Sequence, residues 1–393
     1  MDAATLRAWW AHRQGLDGSL DGAPPAAVLE RSGWARSVGG VGPYLTLFSR
    51  AGTSREAADR AAAALQIHEL PSARGCTYVV PASEFGLALK AGEGYGDLRT
   101  GLKLGVTVKE VDRLCAAIDK ALATDALSPD DLRDAVGKAA RSLGPEGVKK
   151  GLSTTLPLGL GRLQTEGRIR RVPVNGRLDQ QRYKYARWDA SPLSTFTLSL
   201  DAAFTELARR YFRWIGPATL AEFQWFSGLG VKAAKAAVEP LSLVPLDANS
   251  GRLLLADDLD TLRAFKRPKD PRYTLVSGLD ALVLLRRDVQ GLLDPTDRQH
   301  TVVVDRTTAA AGSITDLPSH GIFDRGRLVG LWEYDQEAST IAWAVFGAKN
   351  SALTAAVART EAFVRDQLGD ARSFSLDSPK SRTARVEALR KGF

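Results

Sequence analysis

The sequence predicts an α+β fold: three tandem winged-helix units, followed by a small β-rich C-terminal domain with a covering helix. Three observations predict it. Helical apolar spacing gives way three times to a pair of short extended segments, near residues 67–80, 169–188 and 243–255. Capping residues or prolines mark helix starts ahead of each pair. From Tyr273 onward extended runs dominate. The expected boundaries are 1–91 for the first unit, 92–127 for a connector, 128–190 for the second unit, 198–266 for the third and 273–393 for the β-rich domain.

In the first unit, Leu6–Gln14 carries Leu6, Trp9, Trp10 and Arg13 at helical spacing. Gly15–Pro24 reads as loop, and Pro25 opens a second helix at the favoured first-turn position. Gly39, Gly40, Gly42 and Pro43 break the chain before the apolar Tyr44–Phe48. Ser54 is an expected N-cap for the alanine-rich run to Leu65. Ile67–Leu70 and Thr77–Val80 are the expected two-strand ribbon, and Gly92–Gly105 is a glycine-rich connector.

The second unit starts at the capped Ser128-Pro129-Asp130-Asp131, with Leu132, Ala135 and Val136 on one face. A short helix near Pro145–Lys150 and a longer one over Ser153–Glu166 follow, the latter with Leu156, Leu160 and Leu163 aligned. Ile169–Val174 and Tyr183–Trp188 form the hairpin, turned after Asn175-Gly176. The third unit repeats this grammar. It has helices over Leu200–Trp214, Leu220–Phe226 and Val231–Val238, then a hairpin of Leu243–Leu246 and Leu253–Leu255. The C-terminal strands are expected at Val302–Asp305, from Ser313 onward, and at Ile322-Phe323, Leu328–Tyr334 and Ile341–Phe346. A helix over Leu353–Gln367 covers them, and the end after Ser378 is basic.

Hydrophobic residues at 44% and charged residues at 25% suit a globular chain long enough for several cores. No apolar run reaches the ~20 residues of a membrane-spanning helix. Cys76 and Cys115 have neither a CxxC partner nor a histidine pair, so no metal site is expected, and free buried thiols fit a reducing cytoplasm. The net charge of +8 suggests a polyanionic partner. Its distribution is sharper: Arg162, Arg168, Arg170, Arg171, Arg177, Arg182, Lys184 and Arg187 face only Glu166 and Asp179 within that stretch. Basic residues on a third helix and wing neutralise phosphates, so double-stranded DNA is the expected partner, and a protein-interaction module is the alternative.

Several stretches resemble the AlkZ/YcaQ-type (AlkZ-like) family of bacterial DNA glycosylases. They are Leu6–Gly18 (LRAWWAHRQGLDG), Arg74–Pro81 (RGCTYVVP), Gly216–Gly230 (GPATLAEFQWFSGLG) and Leu317–Trp332 (LPSHGIFDRGRLVGLW). The resemblance implies a scaffold that grips duplex DNA and hydrolyses the N-glycosidic bond of alkylated or crosslinked bases, without a cofactor. It also implies a Gln-x-Gln or Gln-x-Asp motif before an apolar helix. Anchored on Pro43-Tyr44, those two positions are Val38 and Gly40, whose side chains cannot accept a proton or hold water. Lost activity, polar groups from elsewhere, or a shifted alignment each account for this. A monofunctional glycosylase and a catalytically silent DNA-binding protein (a transcription factor or lesion sensor) both remain open.

Substitute groups are few. His68 and Glu69 are candidates for orienting or activating water, and no lysine stands out as a Schiff-base nucleophile. The expected DNA contacts are Arg36 and Arg74 in the first unit and Arg162, Arg168, Arg170, Arg171, Arg177 and Lys184 in the second. Ser319 and His320 add a third set, with a hydrogen-bonded structural histidine as the alternative. The loop glycines suit either a close approach to phosphate or a tight turn. Trp9, Trp10, Trp214 and Trp225 fall at helical spacing and read as core. A monomer is expected.

Overall fold

The computed structural model describes residues 1–94, 98–304 and 307–393. Residues 95–97 of the expected connector, and Asp305 of the expected strand Val302–Asp305, lie outside the described residues. Asp2 starts the first helix by accepting the Thr5 N–H at 2.9 Å, and α1 (Ala3–Arg13) buries Leu6, Trp9 and Trp10. Then come α2 (Pro25–Ser32), β1 (Ala35–Arg36), α3 (Gly42–Ala51) and α4 (Arg55–Ala63), the last capped by Ser54. Strands β2 (Ile67–Pro71) and β3 (Thr77–Pro81) form the expected ribbon, and α5 (Phe85–Ala91) follows. The ribbon is one strand wider than expected, in the order β1-β3-β2. Two residues are too few for β1 to show a strand period.

The stretch read as a connector holds α6 (Leu98–Lys103) and α7 (Val108–Ala121), which corrects that expectation. Helix α7 has a reciprocal cap between Thr107 and Glu110 and buries Val111, Leu114, Cys115 and Ile118. These pack with Leu132 and Val136 of α8 (Pro129–Val136) and with Leu156, Leu160 and Leu163 of α10 (Leu156–Thr165), while α9 is Gly144–Lys149. Ala135, expected on the buried face of α8, is exposed. The hairpin is β4 (Ile169–Pro173) with β5 (Tyr183–Arg187), Ile169 opposite Arg187.

Helix α11 (Leu200–Ile215) carries an apolar stripe from Ala203 to Ile215. After it, β6 (Ala218–Thr219) and the capped α12 (Leu220–Ser227) lead to α13 (Val231–Val238), whose Lys232 and Lys235 are exposed. Strands β7 (Leu243–Pro245) and β8 (Arg252–Leu255) complete a sheet ordered β6-β8-β7, and α14 is Ala256–Ala264.

The last part begins with β9 (Tyr273–Val276), α15 (Ala281–Leu284), α16 (Val289–Leu292) and the ribbon of β10 (Thr301–Val304) with β11 (Thr307–Ala310). A four-stranded antiparallel sheet is ordered β14-β13-β12-β9, from β12 (His320–Asp324), β13 (Arg327–Asp335) and β14 (Thr340–Val345). Ser313 closes a short 3₁₀ turn, so no strand starts there. Two helices, not one, cover this sheet: α17 (Ser351–Phe363) and α18 (Pro379–Lys391). The basic end is α18, and two of its charges, on Arg382 and Arg385, are buried in ion pairs. Arg385 pairs with Glu333 at 2.7 Å and Asp377 at 2.8 Å, and Arg382 with Asp370 at 2.7 Å.

The first and last parts share a core. Tyr44, Leu45 and Leu47 of α3 pack with Leu275, Ile322, Trp332 and Phe363. Arg50 of α3 is fully buried against Asp280, donating at 2.7 and 2.8 Å, and also donates twice to Gln14 at 2.9 Å. This brings the loop after β1 to the chain segment between α17 and α18. Among the described residues no helix is long and apolar enough to cross a membrane.

Candidate nucleic-acid interface

Ser37 extends β1 by donating its N–H to Thr77 O at 3.0 Å. The loop Val38–Val41 then lies under residues 372–375: Val41 N–H donates to Arg372 O at 2.9 Å and Ser375 N–H to Val38 O at 3.0 Å. A Cβ on Gly40 would stand 2.2 Å from Ser373 O, so no side chain fits there. A Cβ on Gly39, at φ +76°, would stand 2.6 Å from the Gln181 side chain. Gly40 thus admits the chain's own backbone, and Gly39 a side chain from the loop between β4 and β5. Arg177 donates to Leu368 O at 3.1 Å and Arg372 to Asp179 O at 2.8 Å, tying the loop between β4 and β5 to the same segment.

At the free edge of β2, Glu69 is buried and accepts three bonds. Ser37 Oγ donates at 2.7 Å, Tyr183 OH at 3.1 Å and Arg171 Nη1 at 3.0 Å. Burial and the Glu69 charge push the Tyr183 hydroxyl up, which keeps it a donor. Glu69 and His68 line a cavity of about 230 Å³ with Arg170, Arg171, Pro173 and Tyr183. Burial, then the charges of Arg170 and Arg171, push the His68 imidazole down to about 3. It is therefore neutral near pH 7 and a weak base, and its Nε2 has no hydrogen-bond partner among the described residues.

The basic cluster is partly neutralised from within. Arg162 pairs with Asp112 at 2.5 Å and Glu166 at 2.8 Å, and Arg168 pairs with Asp119 and, at 3.5 Å, Glu166. Asp112 and Asp119 belong to α7, the helix that sequence reading missed. Arg171 is held by buried Glu69 and Arg177 by buried Asp179, so neither is a free phosphate ligand. Arg170 lies against Trp188 at 5.7 Å. Arg182, Lys184 and Arg187 are exposed without an ion pair among the described residues. Pairs as exposed as those of Arg162 and Arg168 are worth ~1 kcal/mol or less, so phosphates can replace those carboxylates.

The model of the family described as DNA glycosylase AlkZ-like matches residues 41–373. The chain belongs to the AlkZ-like DNA glycosylase family. It is a DNA-glycosylase-like, DNA-binding protein. Among solved structures, Streptomyces sahachiroi DNA glycosylase AlkZ superposes with a TM-score of 0.69 at 22% identity, covering 95% of this chain and 98% of that one. The fold is therefore shared along almost the whole length. No curated protein matches the chain. The family match begins one residue after Gly40, so Val38 and Gly40 lie outside it.

In this AlkZ-like chain, Ser319 and His320 lie inside the protein, which corrects their expected DNA-facing position. His320 is fully buried, accepts the Gly278 N–H at Nδ1 (3.0 Å) and donates from Nε2 to Ala371 O (2.6 Å). Its ring packs 4.4 Å from Trp332. One nitrogen ties β12 to the turn after β9, and the other to Ala371, next to the segment that covers Gly40. Arg36 donates to Thr77 O at 2.9 Å and lies 5.4 Å over Tyr78. Arg74, exposed at the β2–β3 turn, stacks 3.8 Å over Trp225. Trp9, Trp10 and Trp214 are buried as expected, but Trp225 is only half-buried.

Proposed function

We propose that the chain is a monomeric, cytoplasmic glycosylase that grips duplex DNA through three winged-helix units and hydrolyses the N-glycosidic bond of alkylated or crosslinked bases. The proposed units are 1–91, 98–190 and 198–266, followed by the β-rich part from 273. The observation that carries the reading is Glu69, held at 2.7 Å by Ser37, the residue directly before Val38. A fixed carboxylate thus reaches the loop that holds Val38 and Gly40. Oriented by three donors, it faces a cavity able to hold a sugar edge, where it would stabilise the cationic character that develops at the anomeric carbon. Arg170, Arg182, Lys184 and Arg187 would take the phosphates.

A second reading, DNA binding without chemistry, is favoured by the backbone of Ser373 filling the side-chain space at Gly40. A base-release assay on alkylated plasmid, run beside a binding titration at two salt concentrations, separates the two. Base release by the native chain and its loss in Glu69→Gln, with DNA binding kept, supports the first. Salt-sensitive binding without release across small and bulky adducts leaves the second.

A further inference from the structure

Between β3, α12 and α15 lies a second cavity, of about 370 Å³, whose lining does not include Glu69. Its walls combine the Tyr78 and Trp225 rings with the apolar Leu284 and Leu285, and three arginines reach it: Arg36, Arg74 and Arg287. Arg74 and Arg287 both stack on Trp225, with their guanidinium carbons 3.8 and 4.6 Å from the ring centre. Like charges gathered on one ring repel each other, which an anion would relieve. Asp316 is the one carboxylate among the described lining residues, and Arg287 already binds it at 2.5 and 3.0 Å. Arg36 and Arg74 have no carboxylate within ion-pair range among the described residues. Each spends one described hydrogen bond, on a backbone oxygen, so donors remain for a ligand.

The backbone adds an independent sign. Arg74 has φ +62° and Arg287 φ +50°, in the left-handed region that side chains other than glycine avoid. They are two of the five described non-glycine residues with positive φ, and both aim at the same indole. Strain of this kind gathers at ligand clamps.

We propose that this cavity is a nucleotide-binding site. It would take a planar aromatic base against Trp225 and Tyr78, and a phosphate between Arg36, Arg74 and Arg287. The site does not depend on base excision, and it takes either a free nucleoside 5′-monophosphate or one nucleotide of a DNA strand.

Titration calorimetry of the full chain with dAMP, deoxyadenosine and inorganic phosphate tests it. The site requires dAMP to bind at least tenfold more tightly than either fragment. It also requires the double variant Arg74→Gly/Arg287→Gly to weaken dAMP at least tenfold. Glycine accepts both backbone angles, and the variant's melting temperature checks that the fold is kept. Trp225→Leu, which preserves an apolar filling, provides a second variant with the same expected loss. Competition by a short single-stranded oligonucleotide identifies a strand as the source of the nucleotide; failure to compete identifies the free nucleotide. Absence of dAMP binding, or binding unchanged in both variants, overturns the proposal. A chain that binds dAMP yet releases no base would refute only the glycosylase reading.

Discussion

Two buried titratable residues give the molecule a pH window. Burial pushes the Glu84 carboxyl up to about 7, against the pull of the Trp34 N–H at 2.5 Å and of Arg210. The folded state thus keeps a proton that the unfolded chain loses near 4.5. That contribution is complete below pH 4.5 and is lost as pH rises through 7, a change of about 3 kcal/mol. Glu84→Gln is expected to flatten the decline in denaturant midpoint between pH 5 and 8. His68 has the opposite sign. Its folded value near 3 lies below the unfolded 6.5, so its contribution is present above pH 6.5 and falls away as pH drops toward 3. His68→Leu should keep more of its neutral-pH stability at pH 4.5 than the native chain does, as measured by thermal melting. At Gly40 the constraint is steric. Gly40→Ala should cost ~1–3 kcal/mol, because its Cβ meets a backbone oxygen rather than a yielding side chain. An unchanged urea midpoint would mean that residues 372–375 are not seated on the loop.

Among the elements, α7 changes the picture of charge most. The exposed pairs that Asp112 and Asp119 make hold Arg162 and Arg168 back from solution. Asp112→Asn with Asp119→Asn is expected to raise DNA affinity several-fold at low salt and to steepen its salt dependence, with stability altered by under ~1 kcal/mol. An unchanged salt slope would remove that face from the interface. Most helices were legible in the sequence because their caps are local: Ser54, Ser128 and Thr219 each accept a backbone N–H three residues on. The apolar stripe of α7 was just as regular, but the glycines before it drew the whole stretch into a loop. The two-residue strands β1 and β6 carry no period at all. Partners of the basic cluster were illegible for a different reason: Asp112 lies 50 residues from Arg162 in the chain.

Across the whole molecule, the joining of first and last parts rests on contacts that no local pattern announces. Arg50, Asp280 and Gln14 come from three distant stretches and meet where no solvent reaches. Removing one partner leaves an uncompensated buried charge, so Asp280→Ala is expected to lose ~3–5 kcal/mol in denaturant unfolding. The same long-range folding explains the fate of the sequence-level site candidates. His320 sat in the stretch most like the family, yet its likeness reflects a structural joint. Arg171 and Glu69 were both singled out, but nothing in the sequence said that they bind each other. Arg74 and Trp225 were read as a phosphate contact and a core residue, and the fold makes them one stack.

The seating of residues 372–375 on the loop after β1 also sets an order of events during synthesis. Val38–Gly40 leave the ribosome long before the strip of backbone at residues 372–375 that completes their surroundings. The α3 core needs Trp332 and Phe363 as well, so α3 must wait, half-covered, until those residues have emerged. A nascent chain stalled before residue 370 should therefore remain protease-sensitive around α3, while the locally closed core of α7, α8 and α10 is already protected.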